Sequence, residues 1–292
     1  FDGGYAGAAL RRHEVLSARG VASELLLGPW IHGGELDLDP AAPARRAAFD
    51  HASELLAFFD RHLLKAGEGP AEAPVRYFAM GEAGGWQRAD RFPPAGTRSV
   101  GFGFRRGRRL ACGPSESGAE SFELDQRVRA GVRSRWRTLL CPFLVADGTG
   151  GSRSGYAVFE SEPLSHDLDV AGHPVLTLAV AANEVDYPKY PINSMWAVTA
   201  QPANWARERI AACTGPSNAP DELHVHHVEL LPLACRWRAG SRLRLRLGAA
   251  DTDHFSTPNP RPFVRFRVER GRSRLLLPVR DGAAFLSRAS CA

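Results

Sequence analysis

Two periodicities divide this chain. In residues 7–19, Ala8, Ala9, Leu10, Val15 and Leu16 fall near one helical stripe, and Gly20 follows as a stop signal, so a helix is predicted there. SELLLGPW then reads as a short buried strand. Over 43–66, Phe49, Leu55, Leu56, Phe58, Phe59, Leu63 and Leu64 recur at intervals of three and four, the strongest helical pattern in the chain. After the Gly/Pro/Glu linker AGEGPAEAP (66–74) the period drops to two. VRYFAM, RSVGFGF, GYAVFES, PVLTLAVAA, SMWAVTAQ, LHVHHVEL, RLRLRLGA, PFVRFRV and RLLLPV alternate and are separated by Gly, Pro, Asp and Asn turns. About nine or ten short strands of this kind predict an antiparallel sandwich or jelly roll. No repeat of fixed period and no low-complexity tract interrupts them.

The opening helix, strand and long helix form an α/β signature too small to stand alone. An α/β layer needs several parallel strands, and only one complete strand precedes residue 70. Further α/β structure is therefore expected upstream, and a start at Phe1 rather than Met fits that expectation. The long helix would pack on the absent sheet, which leaves its Leu and Phe stripe exposed in this chain.

Composition narrows the classes. With 292 residues and 44% hydrophobic content, the chain can bury one large or two medium cores. No apolar run reaches the roughly 20 residues needed to span a bilayer, and FDGGYAGAALRRH lacks the order of a signal peptide, so a cytoplasmic protein with no membrane partner is expected. Five cysteines, Cys112, Cys141, Cys213, Cys235 and Cys291, lie far apart with no CxxC pair. That spacing argues against a disulfide framework or zinc knuckle and predicts mostly buried thiols in a reducing compartment. The net charge of +5 comes almost wholly from arginine, Lys65 and Lys189 being the only lysines.

Several clusters carry candidate chemistry. His224, His226 and His227 in HVHHVEL put two imidazoles on one strand face, with Asp251, Asp253 and His254 in DTDHF as the remaining candidates for a zinc site, although a polar strand face accounts for them more simply. Arg105, Arg106, Arg108 and Arg109 could bind phosphate, but they sit at a predicted turn and nearby acids almost balance them, so no nucleic-acid partner is expected. RLRLRL reads as Leu inward and Arg in water. Tyr190, Trp196 and Trp205 in the aromatic, proline-rich piece 187–205 would be the contacts of a rival function, a standalone jelly-roll carbohydrate-binding or interaction module.

The sharpest constellation lies near the N-terminus. In α/β-hydrolases the catalytic residues run in the order Ser, acid, His, the last two on loops after late strands. Here Asp2 precedes a helix, a strand follows, and His32 sits in the loop just past that strand. A carboxylate there would orient the imidazole while the imidazole takes a proton from a serine hydroxyl. Taken alone, His32 equally suits a hydrogen-bonded loop residue, and Asp2-Gly3 a common turn.

FDGGYAGAALR, LLLGPWIHGG, FFDRHLLK, VRYFAMGEAGGWQRADRFPP and AGSRLRLRLGAADTDHFSTPNP, in that order, resemble the cocaine esterase / X-Pro dipeptidyl-peptidase (CocE/NonD) family of serine hydrolases. The resemblance implies that Phe1-Asp2-Gly3 carries the catalytic Asp and Gly28-Pro29-Trp30-Ile31-His32 the catalytic His. It implies the C-terminal end of an α/β-hydrolase domain over 1–70, followed by an all-β jelly-roll, galactose-binding-like domain over 74–292. It implies a small ester or an amide such as an X-Pro peptide as substrate of the complete enzyme, no metal or organic cofactor, an N-terminal hydrolase domain as the missing partner, and a jelly roll that supports a homodimer. Val185-Asp186-Tyr187-Pro188 departs from the family's usual Val-Asp-x-Asp-Phe element, which leaves the exact enzyme open.

The family's nucleophile elbow lies upstream of the position matching Phe1. No G-x-S-x-G occurs in this chain: GSRSG at 151–155 has Arg153 in the nucleophile slot, and GPSNA at 215–219 follows His32. The chain is therefore expected to be inactive alone.

Overall fold

The computed structural model describes residues 6–30, 49–64, 73–81, 84–125, 127, 156–182, 192–200, 207–215, 223–248 and 264–288. Helix α1 (Ala6–Ala18) buries Gly7, Leu10 and His13. Its end is closed by Gly20 at φ +72°, where the backbone N–H groups of Gly20 and Val21 donate to the carbonyls of Ser17 and Leu16. Strand β1 (Leu25–Leu27) follows, and α2 (His51–Phe59) runs on into a π-helical turn, Asp60–Leu64.

The long helix predicted from residue 43 does not pass through Phe49 and Asp50. Asp50 stops it from the N-terminal side by acting as a cap, its carboxylate accepting from the Ser53 backbone N–H at 3.0 Å and the Ser53 hydroxyl at 2.6 Å. Residues 43–48, 65 and 66 of that prediction lie outside the described residues.

Strands β2 (Val75–Ala79) and β3 (Gly85–Ala89) complete a three-stranded sheet of order β1-β2-β3. The β1–β2 pair is parallel, Leu25 to Val75 through Leu27 to Tyr77, with α2 on the connection, whereas β2–β3 is antiparallel.

The remaining strands are β4 (Arg98–Arg105), β5 (Arg109–Cys112), β6 (Ala119–Leu124), β7 (Tyr156–Ser161), β8 (Leu168–Gly172), β9 (Val175–Ala182), β10 (Ile192–Ala200) and β11 (Arg207–Gly215). They continue with β12 (His224–Glu229), β13 (Leu233–Trp237), β14 (Arg244–Gly248), β15 (Val264–Glu269) and β16 (Arg274–Val279), and α3 (Gly282–Arg288) closes the described chain. These thirteen strands form one hydrogen-bonded ladder, β11-β10-β14-β7-β5-β4-β16-β9-β15-β6, with β12 on β9 and with β8 between β16 and β13. All nine segments predicted from alternation are strands.

The ladder turns a corner at β9. One side of β9 pairs with β12 along Val175–Val180, while its other side pairs first with β16 and then with β15. As a result, β6 and β7, far apart along the ladder, meet across the core: the Phe122 and Phe159 rings are 5.5 Å apart, and Phe159 packs on Phe104 at 4.5 Å. The fold is mostly β-sheet with few helices. Within the part expected to be antiparallel, the short β5–β7 contact from Arg109 to Glu160 is parallel.

The two sheets are joined by backbone. The Met80 N–H donates to the Ala234 carbonyl at 2.9 Å, and the Arg236 N–H donates back to the Met80 carbonyl at 2.8 Å. Met80, Tyr77 and Cys235 are buried at this seam. Two sequence readings fail here. Arg246 of RLRLRL is only 7% exposed instead of facing water, and Cys112 is disulfide-bonded, whereas Cys235 is buried as expected.

Candidate functional site

Asp2 and His32, the residues singled out for catalysis, lie outside the described residues. What the structure describes is the approach to His32. β1 ends at Leu27, and Gly28-Pro29-Trp30 leaves from the C-terminal end of a strand in a parallel pair, the edge at which α/β sheets place their functional loops. Gly28 has a packing reason to lack a side chain, because a Cβ there would run into the six-membered ring of Trp30. The indole folds back over the glycine.

Trp30 is held in a cluster of four rings. It packs against Phe49 at 4.9 Å, His51 at 4.4 Å and Trp86 at 5.7 Å between centroids. Phe49 closes the set, 4.9 Å from His51 and 5.1 Å from Trp86. Trp30 comes from the loop after β1 and the other rings from the start of α2 and from strand β3, so two separate elements converge on one indole. Sequence reasoning found Trp30 through its motif but missed the other rings, because nothing in the spacing of 30, 49, 51 and 86 says that they meet.

Helix α2 is tied to the same sheet by charge. Glu54 takes a two-pronged ion pair from Arg76 of β2, one arm of it at 3.0 Å, and Glu24 pairs with Arg61 and lies 3.8 Å from His62. Arg76 holds the Glu54 carboxyl below the ordinary range. No residue of α2 or the following turn is buried, and Leu55, Leu56, Phe58, Phe59, Leu63 and Leu64 are all exposed, the last two at 71%.

The other sequence candidates do not assemble into sites among the described residues. His224 and His226 share one face of β12 with their rings 6.5 Å apart, and His227 meets the Thr177 hydroxyl at 3.2 Å. Burial pushes the His226 imidazole pKa down, helped by its neighbours His224 and His227. No group of three His, Cys, Asp or Glu residues able to hold a metal occurs among the described residues, and Asp251, Asp253 and His254 lie outside them. Of the arginine cluster, Arg105 pairs with Glu116, Arg108 lies over the Phe122 ring at 4.4 Å, and Arg109 pairs with Glu162. Trp196 is in β10, opposite Ala211 in register, and Tyr190 and Trp205 lie outside the described residues.

One feature was invisible in the sequence. A cavity of about 620 Å³ opens where β2 and β3 meet the larger sheet, and its charged lining comes from β8, β13 and the end of β16. Four of its charged side chains lie in two ion pairs. Asp167 pairs with Arg236 at 3.3 Å and accepts from the Ala239 N–H, and Asp169 lies 3.4 Å from Arg280. Burial raises the Asp169 carboxyl pKa, and Arg280 and Arg236 oppose that only in part. The Asp167–Arg236 pair braces the seam.

Residues 70–199 match the model of the X-Pro dipeptidyl-peptidase C-terminal non-catalytic domain. Two mycobacterial proteins, "Putative serine esterase Mb1866c" of Mycobacterium bovis and "Putative serine esterase MT1883" of Mycobacterium tuberculosis, are each 32% identical over 315 aligned positions, covering 96% of this chain and 49% of their own length. The chain thus spans about half the length of the curated relatives it matches. Among solved structures, an α-amino acid ester hydrolase superposes with a TM-score of 0.68 at 16% identity, over 93% of this chain and 52% of its own. An archaeal aminopeptidase from Thaumarchaeota gives 0.65 at 16% identity, over 91% and 51%. A CocE/NonD family hydrolase from Staphylococcus aureus gives 0.57 at 13%, over 89% and 55%. No helix among the described residues is long and apolar enough to cross a membrane. The domain match and the esterase-named relatives lead to one conclusion: this chain carries the C-terminal non-catalytic domain of the X-Pro dipeptidyl-peptidase family, and the three solved structures share its fold.

Proposed function

We propose that this chain supplies the acid and base of a serine hydrolase whose nucleophile lies in the half of the family protein that it does not span. Residues 1–70 are then the C-terminal end of the α/β-hydrolase domain, and 74–292 the β jelly roll. The observation that carries this reading is Gly28-Pro29-Trp30, the head of the string Gly-Pro-Trp-Ile-His, leaving the C-terminal end of β1, a strand paired in parallel with β2. His32 is the general base, then acid, of acyl transfer to serine, and Asp2 holds its tautomer and stabilises the imidazolium. The substrate is an ester, or an amide such as an X-Pro peptide bond. The exposed leucines and phenylalanines of α2 and its π-helical turn support the reading further, since parallel β/α units ordinarily cover both faces of their sheet.

Alone, the chain has a base and no nucleophile. Purified protein is expected to give no turnover of p-nitrophenyl esters or aminoacyl-nitroanilides above buffer. Joined to its hydrolase half, it is expected to turn over, and His32→Ala should then lower kcat by about 10⁴-fold or more. Turnover by the chain alone that disappears in His32→Ala would refute the division of labour, and full activity of His32→Ala in the joined protein would refute the assignment of the base.

A further inference from the structure

We propose that the cavity at the seam is a binding site for a small zwitterion, an amino acid or a dipeptide with its ammonium and carboxylate free. At about 620 Å³ it falls within the roughly 300–1,000 Å³ of sites that hold small molecules, and it lies where such sites form preferentially, at the junction of two structural units. Its wall carries both signs of charge, Asp167, Asp169 and Asp281 together with Arg236 and Arg280. A bare metal cation would leave the arginines unused, and an inorganic anion would face three aspartates. A ligand with one charge of each sign uses the whole wall.

Each charge of such a ligand has a group to meet. A guanidinium offers five N–H donors. Arg236 approaches Asp167 with one nitrogen at 3.3 Å and Arg280 approaches Asp169 with one at 3.4 Å, both longer than the roughly 2.7–2.9 Å of a tight charge-assisted bond. Both side chains are partly exposed, so each keeps donors to present to a carboxylate. The ammonium falls to the aspartates. Asp281 is exposed and stands outside both ion pairs, and its charge adds to burial in raising the Asp169 carboxyl. One oxygen of Asp169 is buried without a hydrogen-bond donor among the described residues, so the protein leaves this cluster short of positive charge. Val279, Ala284 and Phe285 line the same cavity and offer apolar surface to the ligand's carbon atoms.

The test is titration calorimetry of the full 292-residue chain with alanyl-alanine, N-acetyl-alanyl-alanine and alanyl-alanine amide. Alanyl-alanine is expected to bind saturably, and removal of either charge, by acetylation or amidation, to weaken it about tenfold or more. Asp281→Asn should weaken alanyl-alanine to a similar degree. Asp281 sits at φ +48°, a left-handed conformation that asparagine also takes, so the variant removes charge and keeps the backbone. Ala284→Trp, at an exposed position of α3, should abolish binding by filling the cavity with its charges intact. Arg109→Gln, remote from the cavity wall, should bind as the native chain does. Equal affinity for the three peptides would overturn the proposal, as would binding that survives Ala284→Trp, tighter binding of galactose than of alanyl-alanine, or no heat of binding at about 10 mM peptide. The measurement needs neither nucleophile nor turnover, so its failure and failure of the catalytic assignment of His32 are separate outcomes.

Discussion

At the residue scale, Gly28, Glu54 and Asp169 make distinct demands. Gly28→Ala must push the Trp30 indole out of its cluster, because the added Cβ overlaps the ring itself rather than the end of a flexible chain. A loss of about 1–3 kcal/mol is expected, read as a lower urea midpoint with a red shift of tryptophan emission. The two carboxylates respond to acid in opposite directions. Arg76 depresses the Glu54 pKa, so the stability Glu54 contributes is present above its unfolded value and disappears as pH falls through the folded one. Burial raises the Asp169 pKa, so its contribution is most favourable below the unfolded value and is lost as pH rises through the folded one. Urea titrations on the acid side should therefore show Glu54→Gln removing part of the native chain's loss in acid, and Asp169→Asn steepening that loss. Equal pH profiles for both variants would contradict these environments.

At the element scale, α2 is held by charge and presents its grease outward. Leu56 and Leu63 are 62% and 71% exposed, so Leu56→Glu with Leu63→Glu should leave the thermal midpoint within about 2 °C while reducing aggregation in light scattering. Arg76→Ala should instead loosen α2 from β2, seen as faster amide exchange over His51–Phe59. The apolar stripe of α2 was readable because it keeps a helical period; its start was not, because the Asp50 cap lies inside that period. Strands were readable where apolar and polar positions alternate with one face buried. Six of the described strands were hidden, and four of them illustrate the lack of such contrast. β3 is GWQRA at a sheet edge, β6 is AESFEL with charges on both sides of Phe122, and β8 and β13 are short pieces at the seam. Arg246 breaks the expected Leu-in, Arg-out rule because its strand, β14, is flanked on both sides by β7 and β10. The Gly-Pro-Trp-x-His motif was legible as a local string; the rings that grip it are 19 to 56 positions further on and became visible only through the fold.

At the scale of the whole molecule, the question is whether the small sheet and the large ladder melt together. The two hydrogen bonds between Met80 and the Ala234–Arg236 backbone carry β2 directly onto β13, and Tyr77, Met80 and Cys235 bury the seam between them. Asp167 with Arg236 braces the same junction from the cavity side. A small three-stranded sheet with one open apolar helix cannot hold itself together, since isolated units of that size bury too little surface. Its stability must be borrowed through β2. A single cooperative transition is therefore expected, in which emission from the Trp30 and Trp86 cluster and near-UV circular dichroism of the buried Phe104–Phe159 core change at the same denaturant concentration. Phe159→Ala, deep in the ladder, should cost about 3–5 kcal/mol and lower both signals together. If the seam does not couple the sheets, Phe159→Ala shifts the core signal alone and the tryptophan cluster melts at its own midpoint. Coincidence would mean that a lesion far from the Gly-Pro-Trp-Ile-His loop still reaches it, because the strand that carries Phe78 opposite Trp86 also ends, at Met80, on the ladder.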